Sequence, residues 1–325
     1  MIIAFHNNRL DVRGSCDAMY NYAKYSEEIY GHTSIIFAPL KEAHEPEGVD
    51  KFVKRFKVVY YTNLEDSLSE NNCDVLYVIK YGKVDNIHST KIPNLIHCVF
   101  SLEEPHGDLY IAVSKSLAEK YGKKDYLPHM VGMKPILHSL NLRDKLNIPH
   151  DAVVIGRHGG MDTFNLSFVH NSISEIVRDN KNIYFLLLNT PCFDNHPQII
   201  HLQRTSDLSE KEMFINTCDL GLEASTLGHT FGLSCAEFSV NNKPMLIYNG
   251  QVWNRAHIDI MDIKGLYFST PDTFKNTILF FNKNTYNQTD LNAYREYSIT
   301  KVMKMFNECL QRAIFNFKET RQSTK

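Results

Sequence analysis

Residues 226–238 read Thr226-Leu-Gly-His-Thr-Phe-Gly-Leu-Ser-Cys-Ala-Glu-Phe238, shortly after the strand-like run Thr217-Cys-Asp-Leu-Gly-Leu222. A short apolar run, a turn carrying Gly228 and Gly232, and a stretch of small apolar residues describe a strand, a loop and a helix start near Gly232. Backbone N–H groups at such a helix start point outward and suit a phosphate. Glu237, further into the helix, can reach a sugar hydroxyl. The segment therefore predicts an α/β unit whose loop receives a nucleotide sugar.

Outward from this unit, apolar runs bounded by turn residues alternate with amphipathic stretches along most of the chain. One series of expected strands is Ile2–Phe5, Thr33–Phe37, Lys57–Tyr60, Val75–Ile79, Leu95–Phe100 and Leu109–Val113. The other is Ala152–Gly156, Ile183–Leu188, Ile199–Leu202, Leu220–Leu222, Met245–Tyr248 and Gly265–Phe268. A helix is expected from about Ser15 to Tyr30, with Gly31 as its C-cap. Strands separated by helices imply right-handed crossovers and parallel sheets, and two series imply two Rossmann-like domains. Pro128, Gly132, Pro135 and Pro149 place the break between them, giving domains 1–140 and 141–300. The stretch Asp290–Phe317 reads as a final helix crossing back to the first domain, within a terminal segment 301–325 whose tail, Lys318–Lys325, is polar and expected to fray.

Bulk properties remove several functions. The 325 residues suffice for two cores, and 43% apolar with 22% charged residues is an ordinary soluble composition. A net charge of −2 gives no global field for nucleic acid, and Lys51, Lys54, Arg55 and Lys57 read as a solvated helix face. No apolar run approaches the ~18 residues needed to span a bilayer. Met1-Ile-Ile-Ala-Phe5 reads as a strand and lacks the basic start and cleavage site of a signal peptide. The seven scattered cysteines contain no Cys-x-x-Cys pair, so reduced, mostly buried thiols in the cytoplasm are expected.

Other candidate residues lie at expected strand ends. The loop His6–Ser15 follows the first strand, where Gly14 and Ser15 would permit a close turn and cap the helix; an ordinary Ser-capped loop is the competing reading. Gly156-Arg-His-Gly-Gly-Met-Asp162 opens the second domain, with glycines suited to a diphosphate and Arg157 suited to bidentate phosphate contact. A surface ion pair is the alternative for Arg157. His97 and His106 flank the end of a first-domain strand; His97 reads equally as a core residue, and His106 sits in a Pro-His-Gly turn. Lys80-Tyr-Gly82 closes another strand at that edge. The fifteen histidines include no His-x-His or His-Glu-x-x-His, and no Asp-x-Asp clamp occurs, so no metal site or other cofactor is expected.

In order and spacing, these segments resemble the retaining GT-B glycosyltransferases of family four, in a short form known from bacteria and large DNA viruses. The resemblance covers most of the chain. It runs through Asn21-Tyr-Ala-Lys-Tyr25 with Gly31-His32, Pro105–Ser114, Leu142–Pro149, Gly156–Gly160, Phe214–Asp219, Gly228–Phe238 and Glu237–Pro244. It implies two Rossmann-like domains facing across a cleft and metal-independent transfer of a sugar, with retention, from a nucleotide-diphosphate sugar to a glycan, lipid or protein acceptor. Gly14, Arg157, Gly159, Gly160, Thr230, Phe231, Gly232, Leu233 and Glu237 would bind the donor. Arg157 would take the diphosphate, Gly232 and Leu233 would offer backbone N–H groups, and Glu237 would hold the ribose hydroxyls. His106 or His97 would contact the donor sugar. Two positions depart from the pattern: His229, a third candidate catalytic residue, stands where the resemblance implies the first of two motif glutamates, the one that contacts the donor sugar, and no lysine obviously partners Arg157. The swap at His229 also fits a silent nucleotide-sugar-binding protein or a partner subunit. Nucleic acid is not an expected partner, and peripheral membrane contact and oligomeric state stay open.

Overall fold

The computed structural model describes residues 1–205, 207–286 and 288–322. The chain forms two compact units, Met1–Gly132 with Tyr297–Lys325, and Met133–Glu296. In the first, strands β1 (Ile2–His6), β2 (Thr33–Pro39), β3 (Lys57–Tyr61), β4 (Val75–Lys80), β5 (Asn94–Cys98) and β6 (Leu109–Ala112) form one parallel sheet in the order β3-β2-β1-β4-β5-β6. Its crossovers include helices α1 (Gly14–Tyr30), α2 (Pro46–Val53) and α3 (Leu64–Glu70), and α4 (Lys115–Lys120) follows β6. Strands β4 and β5 are buried along their whole length. Burial on both faces is why such strands read as continuous apolar runs rather than alternating ones.

Helix α1 ends as its sequence requires. Gly31 adopts φ 64°, its N–H donates to Glu27 O at 3.0 Å, and the N–H of His32 donates to Ser26 O at 3.2 Å. The bond from Gly31 is that of an αL C-cap, open to glycine without Cβ strain. The C-terminal helix, Ile299–Gln322, belongs to this unit and brings Val302, Met303, Phe306 and Leu310 into its core. Phe306 meets Tyr22 at 4.7 Å and Tyr77 at 5.3 Å between ring centres. Each buried aromatic of this kind contributes roughly 1.5–3 kcal/mol relative to exposure.

The second unit repeats the plan. Strands β7 (Val153–Arg157), β8 (Ile183–Leu188), β9 (Ile199–Leu202), β10 (Leu220–Glu223), β12 (Met245–Tyr248) and β14 (Gly265–Phe268) form a parallel sheet ordered β14-β12-β10-β7-β8-β9, while β11 (Gly228–His229) and β13 (Asn254–Arg255) pair separately. Helices α5 (Ser167–Asp179), α6 (Leu208–Thr217), α7 (Leu233–Val240) and α8 (Ala256–Met261) lie between strands, and α9 (Pro271–Leu279) follows β14. Ile155, Phe185, Leu220 and Leu246 from the sheet pack with Val169, Ile173 and Phe274 from α5 and α9.

The units divide at Gly132/Met133 and Glu296/Tyr297, not at 140 and 300. The segment before 140 is tied to the second sheet, since the N–H of Ile136 donates to Asn241 Oδ1 at 2.7 Å. Residues 290–298 contain only a short 3₁₀ turn, Arg295–Tyr297, where a helix was expected from Asp290. Here Tyr294 Oη donates to Phe231 O at 2.9 Å and the Ala293 N–H to Ser239 Oγ at 2.9 Å, bonds that hold the chain off a helical path. At the other end the helix continues through Gln322, beyond the expected frayed start at Lys318; residues 323–325 lie outside the described residues. All seven cysteines are free, and only Cys192 is exposed.

Candidate functional site

In a doubly wound sheet, ligands bind beyond the carboxyl ends of the strands where the strand order reverses. In the second unit that point lies between β7 and β10, which end in Arg157 and Glu223. Arg157 is 1% exposed. Its Nη1 donates to Asn189 O at 3.1 Å and Thr190 Oγ1 at 2.8 Å, and its Nη2 to Gly160 O at 2.7 Å and Thr163 Oγ1 at 2.6 Å. Burial lowers its pKa to about 10, so it remains a cation at neutral pH. The guanidinium assigned to the diphosphate thus holds its own loop against the end of β8. Gly156 serves packing, because a Cβ there would lie 2.2 Å from Cys218 Sγ. Gly159 and Gly160 remain at the accessible edge of the loop.

The loop after β10 arches over this point. The N–H of Asn254 donates to Leu227 O at 2.9 Å, and Gly228 (φ 61°) has no room for a side chain, since a Cβ would lie 2.0 Å from Asn254 O. This pairing sets His229 above the strand end, with Nε2 2.9 Å from Oε1 of Glu223. The His229 N–H donates to His257 Nδ1 at 3.3 Å, and the two rings lie at 85° with centres 5.0 Å apart. Burial opposes charge on both members of the Glu223–His229 pair, yet their attraction prevails: Glu223 titrates below the usual carboxylate range and His229 above the usual imidazole value. Burial, aided by the charge on His229, pushes His257 down to about 3, so it accepts as a neutral ring.

Beside this pair stands a second charged group. Glu237, on α7, is contacted by Lys211 Nζ of α6 at 3.0 Å and His158 Nε2 at 3.2 Å, one at each carboxylate oxygen. His158 stacks on Phe238 and meets Phe214 edge-on. Burial, then the charges of Lys211, Arg157 and His229, push its pKa well down. Helix α7 starts at Leu233 with no side-chain cap, on Gly232 at φ 87°, where a Cβ would lie 2.6 Å from His257 Cβ. Its first-turn N–H groups are the kind that accept an anion. Of the remaining expected donor residues, Phe231 is buried and Thr230 half-buried.

In the first unit the reversal lies between β1 and β4, ending in His6 and Lys80. Lys80 Nζ donates to Asp85 Oδ1 and to His106 Nε2, the latter at 3.0 Å, while His106 Nδ1 donates to Glu104 O at 2.7 Å. These bonds fix one tautomer of His106. His6 Nε2 lies 2.7 Å from Tyr61 Oη, and burial lowers its pKa to about 3. His97 is elsewhere: fully buried, 2.7 Å from Tyr77 Oη through Nδ1 and packed edge-on to Tyr22 and His129, it is a core residue. Gly14 is the exposed first residue of α1, whose N-cap is Arg13, and Ser15 does not cap the helix. A cavity lined by His88, Asn94, Asp108 and Phe317 lies at the amino ends of β5 and β6.

The structure therefore brings Arg157, His229, Gly232 and Glu237 to one edge of the second sheet and leaves His97 in the other unit's core. It adds Glu223, His158, Lys211 and His257. His158 lies inside the glycine loop quoted above, and Glu223 is a charge closing an apolar strand run. Nothing local marked Lys211 or His257.

No family model matches the chain, and no curated protein matches it by sequence. Its fold is that of the GT-B glycosyltransferases. It is similar to HepE from Anabaena in complex with UDP and glucose, at TM-score 0.69 and 11% identity over 95% of this chain and 99% of HepE. A glycosyltransferase from Rickettsia africae superposes at TM-score 0.67 with 13% identity, over 96% and 98% of the two chains. The catalytic domain of starch synthase IV from Arabidopsis thaliana, bound to ADP and acarbose, does so at 0.64 with 12% identity, over 96% and 99%. Among the described residues, no helix is long and apolar enough to cross a membrane.

Proposed function

We propose that this protein is a glycosyltransferase that moves a sugar from a nucleotide-diphosphate donor to an acceptor, with the donor held by the second unit. The observation that carries the reading is the meeting of Glu237, the uncapped start of α7 and the Arg157 loop at the strand-order reversal of a GT-B sheet. The α7 N–H groups and the backbone of Gly159 and Gly160 would receive the diphosphate. Glu237 would accept from ribose hydroxyls, and His106 would serve the first unit's side of the reaction. Arg157 would act through the loop it holds. The bound UDP, glucose and ADP of HepE and starch synthase IV support a nucleotide sugar as donor. The family-four resemblance supports retention of configuration without a metal or other cofactor, toward a glycan, lipid or protein acceptor, and the free cysteines support the cytoplasm.

The test is a thermal-shift panel of UDP, GDP and ADP sugars, followed by donor hydrolysis and transfer assays on those that bind. Stabilisation by one nucleotide series and turnover of its sugar are expected, and no binding by any of them would end this reading. A silent nucleotide-sugar-binding protein is favoured by one feature, the imidazole at position 229 engaged by Glu223. Binding without turnover would establish that alternative.

A further inference from the structure

Glu223 is 2% exposed, whereas the His229 side chain in contact with it retains 20% exposure. The pair thus spans from the strand end to the surface of the loop, at the point where a doubly wound sheet receives its ligand. Nε2 of His229 is enclosed against the carboxylate, and the rest of the ring is the part open to that ligand. A buried carboxylate behind a histidine fixes the ring's orientation and favours its protonated form, the arrangement that orients histidines in hydrolase triads and metal sites. Other charged and titratable groups surround the pair: Arg157 from β7 with His158 beside it, Cys235 from α7, His257 from α8, and Arg255 preceding α8. Of these, Arg157 is committed to its loop and His257 accepts from the backbone of His229, so neither replaces Glu223 as the partner of the imidazole.

We propose that Glu223 is a positioning residue for the sugar of the donor: through its ion pair with His229 it holds the imidazole charged and aimed, and His229 donates to a sugar oxygen. The inference rests on the function proposed above and assigns the pair to the sugar, not to the nucleotide.

The experiment uses the full chain and calorimetric binding of UDP and UDP-glucose from pH 5.5 to 8.5, with ADP and ADP-glucose as the second probe pair. In the wild-type protein the extra affinity contributed by the sugar should fall as pH rises through the titration of His229. E223Q should weaken UDP-glucose roughly tenfold, leave UDP within about twofold, and move that fall to lower pH. H229Q should bind UDP-glucose with no such pH dependence. Wild-type affinity and pH profile in E223Q would overturn the proposal, as would an unchanged profile in H229Q should E223Q fail to fold. Loss of UDP and UDP-glucose binding in equal measure would overturn it too, by showing a structural role. A wild-type protein that binds none of the four probes would instead remove the function on which the pair depends.

Discussion

The two sheets share one strand order, and each ends its two central strands in polar residues, yet the groups they collect differ in kind. In the first unit the strand ends carry His6 and Lys80, and Lys80 is shared between Asp85 and His106. Asp85 and His106 are partly exposed, so water can replace the lysine. In the second unit Arg157 and Glu223 are both almost fully buried, with four acceptors fixed to the guanidinium and His229 fixed to the carboxylate. The same topology therefore supports one solvated cluster and one pre-organised cluster. Pre-organised charge suits a ligand that must be held in one pose, since little reorganisation follows binding.

The comparison breaks most sharply at Arg157. Arg157→Met removes the cation from four oxygens, the buried Thr190 Oγ1 among them, and from the field of the buried Glu223 carboxylate. Removing one partner from a buried charged network is destabilising by about 3–5 kcal/mol. Urea denaturation should show that loss in the transition of the second unit, with the first unit's transition unmoved. Arg157→Lys should recover only part of it, because an ammonium cannot span both pairs of acceptors. Equal loss in both units would contradict the division between a solvated and a pre-organised cluster.

Acid separates the units differently. In the first, His6 and His97 are pushed to about 3 and His129 well down, all by burial. A histidine kept neutral in the fold binds a proton on unfolding at any pH between about 3 and its unfolded value near 6.5, so its stability is lost as pH falls below about 6.5. In the second unit His158 and His257 act in the same direction, but His229 is raised, so its contribution is full at low pH and lost as pH rises through its folded value. The first unit should therefore weaken more steeply on acidification. His97→Gln, which keeps an acceptor for Tyr77, should lessen the first unit's loss between pH 7 and pH 5 by about 1–2 kcal/mol in urea midpoints. An unchanged slope would show that His97 is protonated within the fold.

The sheets were legible because parallel strands covered on both faces leave uninterrupted apolar runs; both series of six strands appear near their expected limits, and Gly31 closes α1 as read. The site was legible only along the chain. Arg157, His229, Gly232 and Glu237 could be named from their loops, whereas the partners that define their chemistry arrive from other strands and helices. Glu223 meets His229 through the β11–β13 pairing, and Lys211 meets Glu237 from the crossover helix before β10. Those meetings depend on strand order, which no local spacing encodes. The acceptors of Arg157 were hidden for the same reason: Asn189 and Thr190 lie at the end of a neighbouring strand.

The smallest effect is expected at Lys80. Its side chain is only 5% exposed, as deeply placed as a buried ion pair requires, but its carboxylate partner Asp85 retains 35% exposure. In Lys80→Met the aliphatic stem is replaced by one of similar volume, and Asp85 is left in water rather than in the core. Replacing such a pair with apolar packing is often neutral, so a stability change below about 1 kcal/mol is expected. The consequence should fall on His106, whose Nε2 loses its donor and whose tautomer is then held only by the bond from Nδ1 to Glu104 O. Two-dimensional NMR of the imidazole nitrogens should show a single neutral tautomer in the wild-type protein and exchange between tautomers in Lys80→Met. A destabilisation as large as that of Arg157→Met would place the first cluster in the same pre-organised class as the second.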